Sequence, residues 1–389
     1  MHIPVRSALG WTLAGVLFLA ASVFSQTPGR LAISGIVVDD STLTPLANVN
    51  VFFSETTLGA GTNDSGRFVI RNVPPGSFDL VSSRVGYHPR ILRVTLSENG
   101  VREFKIRLKP APLQLGEVVV PSPDLGEWRK QLEEFKRLFF GKTRNAGECT
   151  LLNPEVLDFR VDDLGNFEAT ARGPLEIENL ALGYHFQLVL IQFRNNTGGT
   201  MMNFDDMFRR EQSKDNPQKR DVIVIEGGLR YTKLKGTAPK EEKRWKENRL
   251  EAYRGSLRHF LVSLFNGKLN KEGFEVYWVP VYPPREWVKR VPMEEKDLIS
   301  DGQNPGEKIL RFEKILEVEY PPGPLERGYN LFVKQDAPGQ TSWLWLNCPS
   351  VTVNERGMIK ERLATNSAGY WAWKRMADEL PLDYEPEGD

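Results

Sequence analysis

The 389 residues are 40% hydrophobic, and 51 Lys and Arg balance 51 Asp and Glu. Such a chain is long and apolar enough for two or three domains with sizeable cores. Its zero net charge, with no basic run carrying interleaved aromatics, excludes a polynucleotide groove and makes nucleic acid an unsuitable partner.

The first element is Met1-His-Ile-Pro-Val-Arg6, followed by an apolar run from Leu9 to Phe24 broken only by Thr12, Gly15 and Ser22. A positive start, a short apolar segment and small residues before Gln26 predict a secretory signal peptide over 1–25, cut after Ser25. A retained anchor helix is the alternative, but the run is shorter than the ~20 apolar residues a spanning helix needs. No Cys follows the run to take a lipid, and no later stretch is long enough to span a bilayer, so no transmembrane segment is expected in the mature chain. The mature protein is expected in the periplasm, at the outer membrane or outside the cell. Only Cys149 and Cys348 are present; in an exported chain they permit one disulfide, and two buried free thiols are the equal alternative.

Residues 31–109 repeat a period of two. Ile33/Val37, Val49/Val51/Phe53, Phe68/Ile70, Phe78/Leu80, Leu92/Val94/Leu96 and Phe104/Ile106/Leu108 each place apolar side chains on one face, with Asp79, Arg93, Lys105 and Arg107 opposite. Asp64-Ser65-Gly66 and Pro74-Pro75-Gly76 are turn chemistry, proline fixing φ and glycine taking φ > 0. Strand-like segments roughly every 8 to 12 residues between such turns predict an antiparallel β-sandwich. The stretches Ile33-Ser-Gly-Ile-Val-Val-Asp39, Thr44-Pro-Leu-Ala-Asn-Val-Asn-Val51, Gly61-Thr-Asn-Asp-Ser-Gly-Arg-Phe68, Val73-Pro-Pro-Gly76 and Gly86-Tyr87 resemble the carboxypeptidase regulatory-like domain, a transthyretin-like sandwich common in exported proteins of the Bacteroidetes type. In metallocarboxypeptidases that module accompanies the catalytic domain and carries no catalytic residue, so the resemblance implies an accessory module.

A Pro-rich linker over 110–123 flanks the strand former Glu117-Val-Val-Val120. A similar segment follows the sandwich in TonB-dependent receptors, but the residues left here are too few for those barrels. From Asp124 the period becomes helical: Leu125, Trp128, Leu132, Phe135 and Phe139 share a face, with Asp124 as N-cap and Gly141 as stop. Strand patterns return over 148–234. A long helix is predicted from Pro239 to Phe265, with Leu250, Tyr253, Leu257, Phe260, Leu261 and Leu264 inward. Further strands are predicted at 273–279, 308–319, 331–334, 342–347 and 350–354, and a short helix near 370–380. Strands interrupted by two long helices make 124–389 an α+β domain. Phe139-Phe-Gly-Lys142, Asn153-Pro-Glu-Val156, the segment 249–261 and Leu380-Pro-Leu-Asp-Tyr384 also resemble the second half of long carboxypeptidase-like regulatory domain proteins of Bacteroidetes, and that resemblance implies no chemistry.

Catalytic templates fit poorly. A zinc peptidase needs His-x-x-Glu and a distant His, yet none of His2, His88, His185 and His259 has Glu three residues on, so no metal and no cofactor are expected. Gly141-Lys142-Thr143 echoes a phosphate loop, but Lys136 stands where its first glycine belongs. The sharpest polar cluster is Arg249, Tyr253, Ser256, Arg258 and His259 on the long helix, with His259 turned away from the core face. Ser256 and His259 lie one turn apart without a third group or a nucleophile elbow, which favours packing over nucleophilic catalysis. Arg249, Arg254 and Arg258 could instead face an anion. Trp343, Trp345, Trp371 and Trp373 would stack on sugars if exposed and supply core if buried. Glu176/Glu178 and Asp205/Asp206 are carboxylate pairs without signs of burial, and the Asp162 and Asn63 turns lack a full calcium loop.

The chain is therefore expected to be mainly β with α+β: a seven-stranded transthyretin-like sandwich at 31–109, the linker, and an α+β domain at 124–389. A non-enzymatic binding or assembly role toward a protein or glycan of the cell envelope is expected. A hydrolase centred near Ser256/His259 and a glycan binder using exposed tryptophans stay open as alternatives.

Overall fold

The computed structural model describes residues 31–96, 102–111, 125–163, 166–196, 222–281, 289–304, 306–323, 325–326, 329, 339–361 and 363–386. The segment read as a signal peptide, most of the expected linker, Asp124, Asp205/Asp206 and the strand expected at 331–334 lie outside them.

Seven strands form the amino-terminal sandwich: β1 (Leu31–Asp39), β2 (Asn50–Phe53), β3 (Gly59–Gly61), β4 (Arg67–Val73), β5 (Gly76–Ser83), β6 (Arg90–Leu96) and β7 (Arg102–Leu108). They make two sheets, β4-β1-β7 and β3-β2-β5-β6. β1 pairs antiparallel with β4 and parallel with β7. The alternation read from the sequence delivers Ile33, Val51, Phe53, Phe68, Phe78, Leu80 and Ile106 to the shared core. At the tight turn before β4, Gly66 has φ +70°, and a Cβ there would sit 2.7 Å from the Val37 carbonyl.

Helix α1 (Leu125–Phe140) opens the second half. Leu132, Phe135 and Phe139 point inward as the helical spacing demands, whereas Leu125, in the first turn, stays 67% exposed. Gly141, at φ +88°, ends the helix. α1 packs on a six-stranded sheet of β8 (Cys149–Leu151), β9 (Leu157–Val161), β10 (Phe167–Ala171), β11 (Leu175–Asn179), β12 (Tyr184–Asn196) and β13 (Val222–Lys233). β12 is long enough to pair with β11 through its first half and β10 through its second, while β13 runs antiparallel along its other edge.

The chain then enters helices α2 (Pro239–Tyr253), α3 (Leu257–Phe265) and α4 (Leu269–Glu272). β14 (Glu275–Val279), β15 (Val291–Pro292), helix α5 (Glu295–Leu298), β16 (Ile299–Asp301), β17 (Glu307–Leu310), β18 (Ile315–Tyr320), β19 (Gln340–Leu346), β20 (Val351–Asn354), β21 (Thr365–Gly369) and helix α6 (Tyr370–Trp373) follow. Their sheets are β15-β14-β18-β19-β21 and β16-β17-β20. Phe260, Leu264, Phe274, Leu316, Leu344, Val353 and Trp371 close a core distinct from the one under α1. The stretch read as one strand over 308–319 is two, with Lys314 at φ +63° in the turn between β17 and β18. The helix read as continuous from Pro239 to Phe265 is also two, and the helix expected near 370–380 is α6 plus a 3-10 turn, Met376–Asp378. Among the described residues no helix is long and apolar enough to cross a membrane.

Cys149 and Cys348 are free and half-buried, which matches the free-thiol alternative rather than the disulfide. Each packs against a different core, and their Sγ atoms donate to the carbonyls of Asn145 (3.5 Å) and Ser350 (3.2 Å). Burial pushes the Cys149 thiol up to about 12. In urea without reductant, a thiol reagent should therefore count two sulfhydryls. In the native protein at pH 8, Cys149 should label orders of magnitude more slowly than a free thiol, because its thiolate fraction is roughly one in ten thousand.

Candidate functional site

The predicted cluster sits where α2 gives way to α3, and the glycine between them sets its geometry. Gly255 takes φ +71°, and a Cβ there would lie 2.3 Å from Gln340 Oε1 and 2.6 Å from the Tyr320 ring. Only glycine adopts that conformation in that space without strain. Both of its peptide groups are held: the Gly255 N–H donates to His259 Nδ1 (3.1 Å), and its carbonyl accepts from Trp371 Nε1 (2.7 Å).

Ser256 is the N-cap of α3, its Oγ accepting from the His259 backbone N–H at 3.0 Å. The serine hydroxyl thus meets the main chain of His259, and the imidazole is turned to Gly255. His259 is 5% exposed, packed against Tyr253, Phe274 and Tyr320 with ring centroids 4.8 to 5.6 Å apart. This corrects the outward placement, and the cause is mechanical: counting 100° per residue from α2 across a left-handed glycine loses phase. His259 Nε2 faces Glu272 Oε2 at 3.4 Å. Since Nδ1 accepts, the neutral ring carries its proton on Nε2.

The arginines are joints. Along α2, Arg244 Nη2 and Trp245 Nε1 donate to the Leu180 carbonyl, Asn248 Nδ2 to Ala181 and Arg249 Nε to Leu182, all at 2.7 to 3.0 Å. The i, i+1, i+4, i+5 spacing puts these donors on one face, which stitches α2 to the loop between β11 and β12. Arg249 also lies 4.6 Å over the Tyr184 ring. Arg258 reaches the other way. Its Nη1 donates to Pro381 O and its Nη2 to Leu382 O and Tyr384 O, all at 2.7 Å, and Nε donates to Arg356 O at 3.1 Å. A buried guanidinium costs several kcal/mol; four charge-assisted bonds, each worth about 1.5–3 kcal/mol, offset it. With Arg249 and Arg258 committed to carbonyls, the anion face anticipated for Arg249, Arg254 and Arg258 is not assembled.

The strap that Arg258 holds, residues 380–384, also reaches the sandwich. Leu382 N–H donates to Glu55 O (2.7 Å), Thr57 N–H donates to Asp383 Oδ1 (2.9 Å) and the Thr57 hydroxyl to Asp383 Oδ2. The turn between β2 and β3 further binds β13, with Glu55 N–H donating to Leu229 O and Tyr231 N–H to Thr56 O. Strap, sandwich turn, β13 and α3 thus converge.

The tryptophans do not form an exposed platform. Trp343 is fully buried and Trp371 is 8% exposed, while Trp345 and Trp373 are half-buried. Glu176 and Glu178 are half-buried, and Glu176 is engaged by His185 Nε2 (3.0 Å) and Gln187 Nε2 (2.6 Å).

Two charged clusters escaped sequence reasoning. Arg290 bridges Glu317 (2.8 Å) and Glu319 (2.9 Å), stacks on Tyr277 at 3.8 Å, and Trp343 Nε1 donates to Glu317 at 2.9 Å. Glu317 and Glu319 alternate on one face of β18, and that i, i+2 spacing was the available signal. Asp378, buried near the carboxy terminus, accepts from Thr143 Oγ1 (2.7 Å) and Asn145 Nδ2 (2.8 Å). Burial raises its pKa, opposed by the charge of Lys374 and those two hydrogen bonds. Among the described residues no group of three or more His, Cys, Asp or Glu could hold a metal ion.

The profile described as the CarboxypepD_reg-like domain matches residues 33–120. No curated protein matches the chain. Similar solved structures include a protein of unknown function from Bacteroides fragilis NCTC 9343, 14% identical over 54% of this chain and 84% of that one, with a TM-score of 0.18. A DUF3823 family protein from Parabacteroides merdae ATCC 43184 is 11% identical over 53% and 80%, with a TM-score of 0.17. A type II cohesin–X-dockerin complex from Acetivibrio cellulolyticus is 19% identical over 29% and 76%, with a TM-score of 0.19.

Gly255→Ala should destabilise the chain by roughly 2–4 kcal/mol, combining left-handed strain with overpacking, as a lower urea midpoint at unchanged slope. Arg258→Ala should cost about 3 kcal/mol or more, because it strands buried carbonyls, and should raise hydrogen exchange at 380–384 before it raises exchange in the sandwich core.

Proposed function

Residues 33–120 being a carboxypeptidase regulatory-like domain, we propose that the protein is an exported, non-catalytic component of the cell envelope that binds or assembles with another envelope molecule. The observation that carries this reading is the joint at Gly255. Four of the side chains there that sequence logic could recruit for chemistry hold one part of the chain to another: Ser256 as a cap, His259 against Gly255, Arg249 and Arg258 on main-chain carbonyls. A hydrolase would need the Ser256 hydroxyl within reach of an imidazole nitrogen, and the nitrogen that accepts in His259 takes the Gly255 N–H instead. The accessory module and the well-braced body behind it support a role in presenting surface.

Purified protein should show no turnover on peptide, ester and glycan panels above that of a His259→Gln, Ser256→Ala double variant. Crosslinking in intact cells should join it to a discrete envelope partner, and fractionation should place it in the envelope or the medium. Turnover lost in the double variant would overturn the reading, as would a cytoplasmic location.

A further inference from the structure

We propose that His259 is a proton switch for the carboxy-terminal strap: protonating its ring opens the break between α2 and α3 and frees residues 380–384 from Arg258 and from the sandwich. The step adds one proton to Nδ1 and breaks no covalent bond. In the neutral ring, Nδ1 is an acceptor facing the Gly255 N–H, and Nε2–H faces Glu272. A second proton turns that acceptor into a donor aimed at a donor. The ring is enclosed by Tyr253, Phe274 and Tyr320, so the new cation cannot be hydrated where it sits. Its open side is Glu272, which is 41% exposed. Swinging toward that carboxylate satisfies the cation and releases Gly255. Arg258 precedes His259 in the first turn of α3, so a shift of that turn displaces the guanidinium that binds Pro381, Leu382 and Tyr384.

The ionisable groups facing the ring are Glu272 from α4, Arg254 at the end of α2, and the phenols of Tyr253 and Tyr320. Burial lowers the His259 pKa below its ordinary value; the hydrogen bond and charge of Glu272 oppose this, and the charge of Arg254 adds to it. A histidine whose folded-state pKa lies below the unfolded value contributes stability that is complete above that unfolded value, near about 6.5, and is lost as pH falls through the folded pKa. The strap is held at neutral pH and released in acid.

Hydrogen exchange of the whole chain, corrected for intrinsic rates between pH 8 and 4.5, tests this alongside 13C-histidine NMR. Protection of 380–384 should fall about tenfold or more, the equivalent of roughly 1.4 kcal/mol, while β1 and β5 stay protected. The midpoint should coincide with the His259 resonance, assigned by elimination with His2→Gln, His88→Gln and His185→Gln. Glu272→Gln removes the opposing charge at a partly exposed site. It should leave protection at pH 7.5 intact and move the midpoint down by roughly one pH unit. Flat protection across the range overturns the proposal. So does a midpoint unmoved by Glu272→Gln, or one that tracks His2, His88 or His185. None of these outcomes depends on a buried His259 variant folding, and each is independent of whether the protein turns over any substrate.

Discussion

One left-handed glycine governs how the parts of this chain meet. Gly255 redirects the helix between α2 and α3, so that Arg249 on one side faces the β11–β12 loop and Arg258 on the other faces the carboxy-terminal strap. A straight helix could not serve both. Its N–H and carbonyl are both bound by side chains, His259 and Trp371, which belong to the core of the third group of strands. The turn is thereby fixed by packing, and the packing positions the clamps.

The parts are joined differently from the way each is held together. Within each core, large aromatic and aliphatic side chains interdigitate, as around Phe135, Phe139 and Phe193 or around Phe260 and Phe274. Among the described residues the seam between sandwich and body buries a small apolar cluster, Phe52, Val81 and Val189 with Ile91 beside it, and Met358 packs against the sandwich core. Directional hydrogen bonds do the rest: Glu55 and Thr56 to β13, Leu382 and Asp383 to the same turn, Asn50 to Gln187. Apolar burial scales with area and tolerates sliding; hydrogen bonds fix register, and each adds only about 1 kcal/mol net. A seam of this kind sets a defined orientation at modest total strength.

That contrast also explains what could be read in advance. The sandwich was legible because a period of two recurs in segment after segment from Ile33 to Leu108 and its turns carry Gly66 and Pro74-Pro75-Gly76, which have few other uses. α1 was legible for the same reason with a longer period. The break at Gly255 was not, since a lone glycine in a helical pattern costs only about 1 kcal/mol and leaves the flanking apolar spacing intact. The residues of the joint stand out in the sequence as a polar cluster, but the partners of its arginines are main-chain carbonyls of Leu182, Pro381, Leu382 and Tyr384, and a carbonyl leaves no mark in a sequence. Even the free cysteines follow this logic: composition permits a bridge, and only the placement of Cys149 and Cys348 in separate cores rules on it.

A cluster of Arg, Tyr, Ser and His at helical spacing invites a catalytic reading, and in this joint the donors and acceptors of Ser256, His259, Arg249 and Arg258 meet the main chain. Catalysis requires a base or nucleophile whose reactive atom is left free toward a space a substrate can enter. In this joint the Ser256 oxygen and the accepting nitrogen of His259 each take a backbone N–H group, one at a helix start and one at a left-handed turn. Arginine at such a place is chosen for its fork of donors, which can bind several carbonyls arriving from different segments. Where helix ends, turns and a terminal strap meet, surplus backbone carbonyls and N–H groups accumulate because no ladder satisfies them. Polar side chains gather there to satisfy them, and the cluster marks the meeting point of the chain's parts.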